Sequence, residues 1–224
     1  MAVALESGWS KPSTILFASD SPTNEEAFSL ALAQASKFGA SLFILYVNDS
    51  LDDATAQNHR LQVLAQRAIS IGIDCKIVVR AGLVAEQILA YLHEQKIDRV
   101  IMGAQSPGPV GKLLVGSVAE AVLRNANVPV CIVGRNVVEG TCRNPVTRKI
   151  LCDVSKEEVR NVVAKFGAKL AAEHNASLIL QQIIPAQEHA AILSGLTIHQ
   201  IEAELPTLVP AKLRRRRQLR LRMS

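Results

Sequence analysis

The residues best suited to chemistry lie in a glycine-containing loop between positions 103 and 117. The loop reads Gly103-Ala104-Gln105-Ser106-Pro107-Gly108-Pro109-Val110-Gly111-Lys112-Leu113-Leu114-Val115-Gly116-Ser117. Because glycine lacks a β-carbon, backbone amides in such a loop can approach an anion closely. A helix predicted to begin near Ser117 would direct free N–H groups and the positive end of its dipole at the same place. The loop therefore predicts a phosphate-binding site.

A second candidate residue is Asp20, which follows the apolar segment Ile15-Leu16-Phe17-Ala18 and precedes Ser21-Pro22. An aspartate in this position can cap the turn that follows it. It can also contact a ligand, and the two roles do not exclude each other. Both interpretations of Asp20 stay open at this point.

The spacing of the residues does not match other catalytic or metal-binding motifs. A Walker loop around Gly111-Lys112 would need glycine at Ser106 and a hydroxyl at Leu113. The four cysteines form no C-x-x-C pair, which favours reduced thiols over a zinc site or a disulfide framework. No nucleophile has an adjacent base, so the sequence indicates a binding module. The enzymatic alternative is a slow ATP hydrolase in which Lys112 or Ser117 stabilises phosphate charge.

The elements that must position these residues alternate between strand and helix. Apolar segments predict strands at Ile15–Ala18, Leu42–Val47, Ile77–Val79, Arg99–Met102 and Pro129–Val133. Helical periodicity predicts helices at Ala27–Phe38, after a capping box at Thr23–Glu26, and at Ala54–Ile71, Val84–Glu94 and Ser117–Asn125. The alternation predicts an α/β fold, a five-stranded parallel sheet with helices on both faces. Ligands of such sheets bind where the strand order reverses, here beyond the first and fourth strands.

The second half of the chain partly repeats the first. Lys149-Ile150-Leu151-Cys152 parallels Thr14-Ile15-Leu16-Phe17, and the stretch from Asn175 to Leu180 parallels the stretch from Gly39 to Ile44. The predicted domains are a complete one at 12–135, a linker at 136–148, a partial second repeat at 149–208 and a basic tail at 209–224. Two strands and two helices bury too little surface to fold alone, so the repeat is expected to pack on the first domain or another subunit.

Composition and charge narrow the class of protein. With 49% hydrophobic and 20% charged residues the chain is globular, and its longest apolar run, Leu42–Val47, is far too short for a membrane span. These features predict a cytoplasmic protein. Seven of the 25 cations lie between Lys212 and Arg222, so the net charge of +5 belongs to the tail. The tail, with Arg214–Arg217, is a solvated segment, an anionic-membrane or nucleic-acid contact, or non-native sequence.

The loop resembles the universal stress protein family, whose nucleotide-binding members carry Gly-x2-Gly-x9-Gly-[Ser/Thr] between the fourth strand and the last helix. The spacing is kept as Gly103-x2-Ser106-x9-Gly116-Ser117. The flanks from Val118 to Val122 and from Asn127 to Val133 also look like the family's final helix and strand. The resemblance covers residues 12–135, and the second repeat looks like the first half of another such domain. It implies a Rossmann-like, adenine nucleotide alpha hydrolase-like fold and a stress-response module that binds ATP or AMP, with Mg²⁺ accompanying ATP.

The resemblance also implies the residues of the site. The positions that match the family's motif are Ala18, Asp20, Val47, Met102, Gly103, Gly116, Ser117 and Val118. By this resemblance Asp20 contacts the nucleoside and Val47 faces the adenine. The phosphate and ribose contacts match Gly103, Gly116, Ser117 and Val118. Ser106 belongs to the same loop but replaces the family's second glycine. Serine there restricts the backbone, and the two loop prolines remove amide donors. These departures favour the alternative of a nucleotide-free dimerisation module.

Assembly is predicted from the fifth strand. In this topology Pro129–Val133 lies at the edge of the sheet, and it has neither lysine nor internal proline to discourage pairing with another chain. The partial repeat supplies no fifth strand of its own to cover that edge. A homodimer formed by antiparallel pairing of this strand is therefore expected.

Overall fold

The computed structural model describes residues 11–19, 24–48, 54–104, 116–134, 137, 147–154, 157–181, 183–184 and 222–223. Contacts between Cα atoms divide the chain into two compact units. One is Ser10–Pro145, and the other consists of Val146–Ser224 with Met1–Trp9. The predicted residues Asp20, Ser106 and Lys112 and the arginine tail at 214–217 lie outside the described residues.

Strands and helices alternate through the first unit. The strands are β1 Thr14–Ser19, β2 Ser41–Asn48, β3 Cys75–Ala81, β4 Arg99–Gly103 and β5 Val130–Val133. The helices are α1 Glu25–Phe38, α2 Ala54–Ser70, α3 Val84–Glu94 and α4 Ser117–Asn125. Each predicted element is present, with ends that move by no more than two residues. Within the described residues, no helix combines the length and the apolar composition that crossing a bilayer would need.

The five strands form one parallel sheet in the order β3-β2-β1-β4-β5, which confirms the predicted fold class. The order reverses between β1 and β4, because the chain leaves β3 and returns on the other side of β1. At the carboxyl ends of these two strands Ala18 lies opposite Met102. This places the predicted binding residues of β1 and β4 side by side.

The core has two halves, one on each face of the sheet. Side chains alternate along β1, so that Ile15 and Phe17 pack on the α1 and α2 side while Leu16 and Ala18 pack on the α3 and α4 side. Phe17 meets Phe28 of α1 edge to face, with ring centroids 5.4 Å apart. The central strands are therefore held from both faces, which fixes the strand ends that carry the site.

Strand β3 departs from the expectation that every strand is apolar and buried on both faces. Its residues Ile77 and Val79 are 37% and 52% exposed. The physical reason is its position, since β3 is an edge strand with only β2 beside it. An apolar run therefore identified the strand correctly but overstated its burial.

Helix α1 begins at a different capping residue from the one the Thr23–Glu26 spacing suggested. The residue before the helix is Asn24, whose side chain accepts a hydrogen bond from the Ala27 N–H at 3.4 Å. Asparagine is among the most favourable N-cap residues, because its amide oxygen can accept a hydrogen bond from an N–H of the first turn. The helix ends as predicted at Phe38, and Gly39 follows it with the left-handed φ of 65°.

The second unit contains a β-α-β segment made of β6 Lys149–Asp153, α5 Glu157–His174 and β7 Ser177–Gln181, with the strands parallel. Two further strands of two residues each, β8 Ile183–Ile184 and β9 Arg222–Met223, pair in parallel. The sequence did not predict them. The second of the two helices expected in the partial repeat, which corresponds to the apolar sequence between Ile192 and Leu205, lies outside the described residues.

Helix α5 ends in the same way as helix α1. Asn175 has a left-handed φ of 51°, as Gly39 has in the first unit. The next N–H, of Ala176, bonds to the Ala171 carbonyl at 2.8 Å, just as the Ala40 N–H bonds to the Ala35 carbonyl at 2.9 Å. The sequence parallel between the two segments thus extends to this backbone hydrogen bond.

Three cysteines, Cys75, Cys131 and Cys152, lie among the described residues and are free thiols. Burial, with a contribution from Asp74, raises the pKa of Cys75 to about 11. Burial also raises the pKa of Cys131 and Cys152. These thiols therefore stay protonated near neutral pH.

The carboxylate of Asp98 fastens the beginning of β1 to the loop before β4. Its Oδ2 accepts hydrogen bonds from the Ser13 N–H at 2.8 Å, the Ser13 hydroxyl at 2.7 Å, and the N–H and hydroxyl of Thr14 at 3.0 Å. Burial raises the pKa of Asp98, but the hydrogen bonds from Ser13 and Thr14 outweigh it, so the pKa lies below its usual range. The charged form is therefore the one that stabilises the fold.

We expect Asp98→Asn to lower the free energy of unfolding by about 1 to 3 kcal/mol at pH 7, since it weakens several bonds to a charged acceptor. A folded pKa below the ordinary 3.8 means that the carboxylate's contribution is present above that value and is lost as the pH falls through the folded value. Urea unfolding at pH 7 and pH 3 measures both effects. Asp74→Asn is the matched control, because Asp74 accepts one bond from the Ser41 hydroxyl at 3.1 Å. Equal losses in the two variants would contradict the role of Asp98.

Candidate functional site

A cavity of about 140 Å³ opens at the carboxyl ends of β1 and β4, where the strand order reverses. Five elements supply its lining: the end of β1, the start of α1, the first turns of α3 and α4, and the end of β4. The lining residues are Ala18, Ser19, Asn24, Val84, Ile88, Met102, Gly103, Gly116, Ser117, Val118 and Ala119. The cavity therefore occupies the position at which doubly wound sheets bind ligands.

The lining is apolar on one side and rich in backbone donors on the other. Val84 and Ile88 of α3 contribute aliphatic side chains, and Ile88 is fully buried in the core half that also holds Ala18 and Met102. An apolar wall of this kind suits the flat face of a heterocyclic base. The polar side is made by the glycines and by the start of α4.

Helix α4 directs unpaired donors into the cavity. Its first helical hydrogen bond runs from the Glu120 N–H to the Gly116 carbonyl at 2.9 Å, so the N–H groups of Ser117, Val118 and Ala119 have no partner within the helix. Together with the helix dipole they form a site for an anionic oxygen. Gly116 has φ −57° and ψ 156°, which any residue can adopt, so its backbone conformation does not itself demand glycine.

Gly103, at the end of β4, is in contact with Asn24. A β-carbon added to Gly103 would overlap the Asn24 side chain, with Nδ2 as the nearest atom and Oδ1 at 2.8 Å. The positive-φ glycines of the described chain are Gly39, Gly72 and Gly82, so Gly103 does not need glycine for its φ. The space that its missing side chain leaves is filled by the asparagine amide.

The cavity brings together six of the nine residues that the sequence predicted for the site. These are Ala18, Met102, Gly103, Gly116, Ser117 and Val118. Val47 is only 1% exposed and packs in the core half with Ile88, outside the lining. Asp20 and Ser106 adjoin the cavity in sequence but lie outside the described residues. The roles assigned to these three residues stay predictions.

Sequence reasoning missed five of the lining residues, namely Ser19, Asn24, Val84, Ile88 and Ala119. Ser19 and Ala119 are neighbours of predicted residues, so extending each motif by one position would have included them. Val84 and Ile88 were predicted to be helical but were given no role in the site. Asn24 carried a usable signal, because an asparagine before a helix that follows β1 must lie near the carboxyl end of that strand.

The described lining supplies hydrogen-bond donors and apolar surface but no ionisable side chain. The described groups whose pKa departs from its usual value, such as Asp98, Tyr91 and Glu94, lie outside this lining. A site of this kind can hold an anion by amide donors and helix dipoles. It offers no general acid or base among the described residues.

A scan against family models matches residues 12–134 to the universal stress protein family. A universal stress protein of Methanocaldococcus jannaschii is 26% identical over 77 residues, which are 34% of this chain and 48% of that protein. A universal stress protein of Thermus aquaticus is 29% identical over 133 residues, 54% of this chain and 97% of that protein. The chain thus spans about half the length of the first relative and nearly all of the second.

Solved structures show the same fold over a longer stretch. A functionally unknown Pseudomonas aeruginosa protein has a TM-score of 0.69 at 16% identity, with 95% of this chain and 74% of that chain covered. A universal stress protein from Archaeoglobus fulgidus has a TM-score of 0.61 at 15% identity, with 95% and 76% covered. At such identities the likeness establishes the fold.

Proposed function

Because the chain belongs to the universal stress protein family, which matches residues 12–134, we propose that it is a cytoplasmic stress-response protein whose first unit binds an adenine nucleotide. The proposed ligand is ATP or AMP, with Mg²⁺ accompanying ATP. The single observation that carries the proposal is the cavity at the β1–β4 reversal point, with an aliphatic wall on one side and free amide donors on the other.

The two sides of the cavity suggest how the nucleotide lies. Adenine is apolar on its faces, so its place is against the wall that includes Val84 and Ile88. The phosphates then reach Gly116 and the first N–H groups of α4, where the helix dipole favours negative charge. In the same proposal Asp20 contacts the nucleoside and Val47 faces the adenine. Ser106 remains the residue that opposes phosphate binding.

The residues of the site support binding of a nucleotide without its hydrolysis. The described lining contains Ser117 but no base to activate it, and no charged side chain to stabilise a leaving phosphate. We therefore place the protein among nucleotide-responsive binding modules. Purified chain incubated with ATP should release phosphate no faster than the buffer does, and a catalytic rate that Lys112→Ala removes would favour the hydrolase instead.

The test of binding is calorimetric titration of the purified full chain with ATP, AMP and adenosine. The proposal expects saturable binding of at least one nucleotide at one site per chain. Guanosine triphosphate is the matched control ligand, since it carries the same phosphates on a different base. Absence of saturable binding by every adenine ligand would overturn the proposal.

The second unit fits a partial repeat of the same domain. Its β-α-β segment ends its helix at a residue with left-handed φ, Asn175 where the first unit has Gly39, and the next N–H makes the corresponding backbone bond. Duplication of a complete domain would account for such a segment after it. We propose the domain limits 12–135 and 149–208, with the linker 136–148 between them and the basic tail 209–224 after them.

A homodimer through β5 is proposed on the strength of the sheet order. Strand β5 lies at one edge of the five-stranded sheet and pairs only with β4 in the described chain. Its sequence, Val130-Cys131-Ile132-Val133, carries no charge that would discourage pairing with a second copy. An edge strand of this kind can extend the sheet across a two-fold axis.

Ile132→Lys is expected to convert the dimer to a monomer, because it places a charge in the paired edge. Light scattering measures the mass of each protein, and circular dichroism checks that the fold survives. Val79→Lys is the matched control, since Val79 lies on β3 at the opposite edge of the sheet and is 52% exposed. A monomeric native protein refutes the dimer, and a dimer that survives Ile132→Lys refutes its location.

A further inference from the structure

The side chain of Asn24 is held with its two polar atoms facing different parts of the molecule. Its Oδ1 accepts a hydrogen bond from the Ala27 N–H at 3.4 Å. Because a backbone N–H can be satisfied only by an acceptor, this bond assigns the oxygen to the helix and the nitrogen to the other side. The capping bond therefore orients the amide without using its donor.

The nitrogen of that amide lies over the end of β4, inside the cavity. Asn24 is part of the cavity lining, and Nδ2 is the atom that a β-carbon on Gly103 would meet first. Within the described part of the chain, the Asn24 side chain makes one hydrogen bond, in which Oδ1 accepts from the Ala27 N–H. Its Nδ2 donates to no described residue. Two N–H donors are thus available at the floor of the cavity.

The surroundings of Nδ2 suit an anion. Asn24 lies at the N-terminus of α1, and the N-terminus of α4 also reaches the cavity at Gly116, so two helix dipoles present their positive ends there. Of the two acidic residues in the first turn of α1, Glu25 and Glu26, Glu25 forms an ion pair with Arg67 at 2.8 Å. The negative charge of Glu25 is therefore offset by Arg67.

We propose that Asn24 is a ligand-contacting residue, which caps α1 through Oδ1 and donates a hydrogen bond from Nδ2 to a phosphate oxygen of the bound nucleotide. This inference rests on the proposed nucleotide binding and adds to it a specificity residue that ties the ligand to helix α1. It also gives a reason for glycine at position 103, where any side chain would displace the donor.

The decisive variant is Asn24→Asp. Aspartate has the same size and caps helices as well as asparagine does, so the thermal midpoint of the ligand-free protein should not fall. It replaces the donor with an anionic oxygen, so affinity for ATP and AMP should fall by about tenfold or more. Adenosine has no phosphate, and its affinity should change by less than about twofold.

Asn24→Ser is the matched control, because serine also caps helices but its hydroxyl is shorter and uncharged. Its ATP affinity should fall by about threefold, less than in the aspartate variant. Calorimetry with ATP, AMP and adenosine measures all three proteins. If the native protein binds ATP and Asn24→Asp binds it equally well, this inference is overturned while the proposed function stands. If the native protein binds no adenine ligand, both are overturned.

Discussion

Gly116→Val is expected to abolish nucleotide binding while leaving the first unit folded. The residue lines the cavity just before α4, and its φ of −57° and ψ of 156° are open to valine. The new side chain would therefore project from an unstrained backbone at the place where phosphate meets the first N–H groups of the helix. We expect affinity for ATP to fall by at least about a hundredfold, equivalent to about 2.8 kcal/mol.

The matched control for this prediction is Gly134→Val. Gly134 follows β5, lies outside the cavity lining, and has open space where a β-carbon would be added. Its ATP affinity should equal that of the native protein. Titration calorimetry gives the affinities, and circular dichroism gives the helix content. Unchanged ATP binding by Gly116→Val would remove the start of α4 from the site.

Gly103→Ala is expected to weaken both the fold and the site, although alanine is the smallest side chain that can be added. Its β-carbon would overlap Asn24, which must rotate away and give up its hydrogen bond to Ala27. Loss of an asparagine cap costs about 1 kcal/mol of unfolding free energy. The displaced amide would also stop donating to phosphate, so ATP affinity should fall by about tenfold.

A double-mutant cycle separates this explanation from a general intolerance of position 103. Asn24→Gly removes the clashing side chain and, as an acceptable N-cap, should cost only a few tenths of a kcal/mol. In that background Gly103→Ala should be nearly neutral, which gives a coupling of about 1 kcal/mol between the two positions. Urea unfolding of the four proteins measures the cycle. Additive losses of stability would contradict the contact between Gly103 and Asn24.

The order and type of the elements in the first unit could be predicted because local signals and tertiary packing agree there. Strand β1 is apolar on both faces since it is central in the sheet, and α1 ends at Gly39 because glycine adopts a left-handed φ without strain. Exposure of β3 could not be predicted in the same way. Its apolar sequence resembles that of a central strand, and only the sheet order places it at an edge.

The candidate site could be predicted in part, for a related reason. Gly116 and Ser117 belong to a sequence motif that marks the start of a helix beside a glycine loop, so they were found from the chain alone. The partnership of Gly103 with Asn24 was missed, because it joins residues far apart in the chain and depends on the β1–β4 pairing. A glycine in a motif suggests close approach of a ligand, whereas here the described structure places a protein side chain against it.

The most direct test of the account is an ATP titration of the isotope-labelled full chain followed through its backbone amide resonances. Binding in the cavity predicts saturable shifts concentrated at the start of α1, at Gly103, and from Gly116 to Ala119. The amides of β3 at the far edge should stay unchanged and serve as the internal reference. Saturable shifts confined to other regions, or no shifts at any ATP concentration, would contradict the claim that this cavity binds an adenine nucleotide.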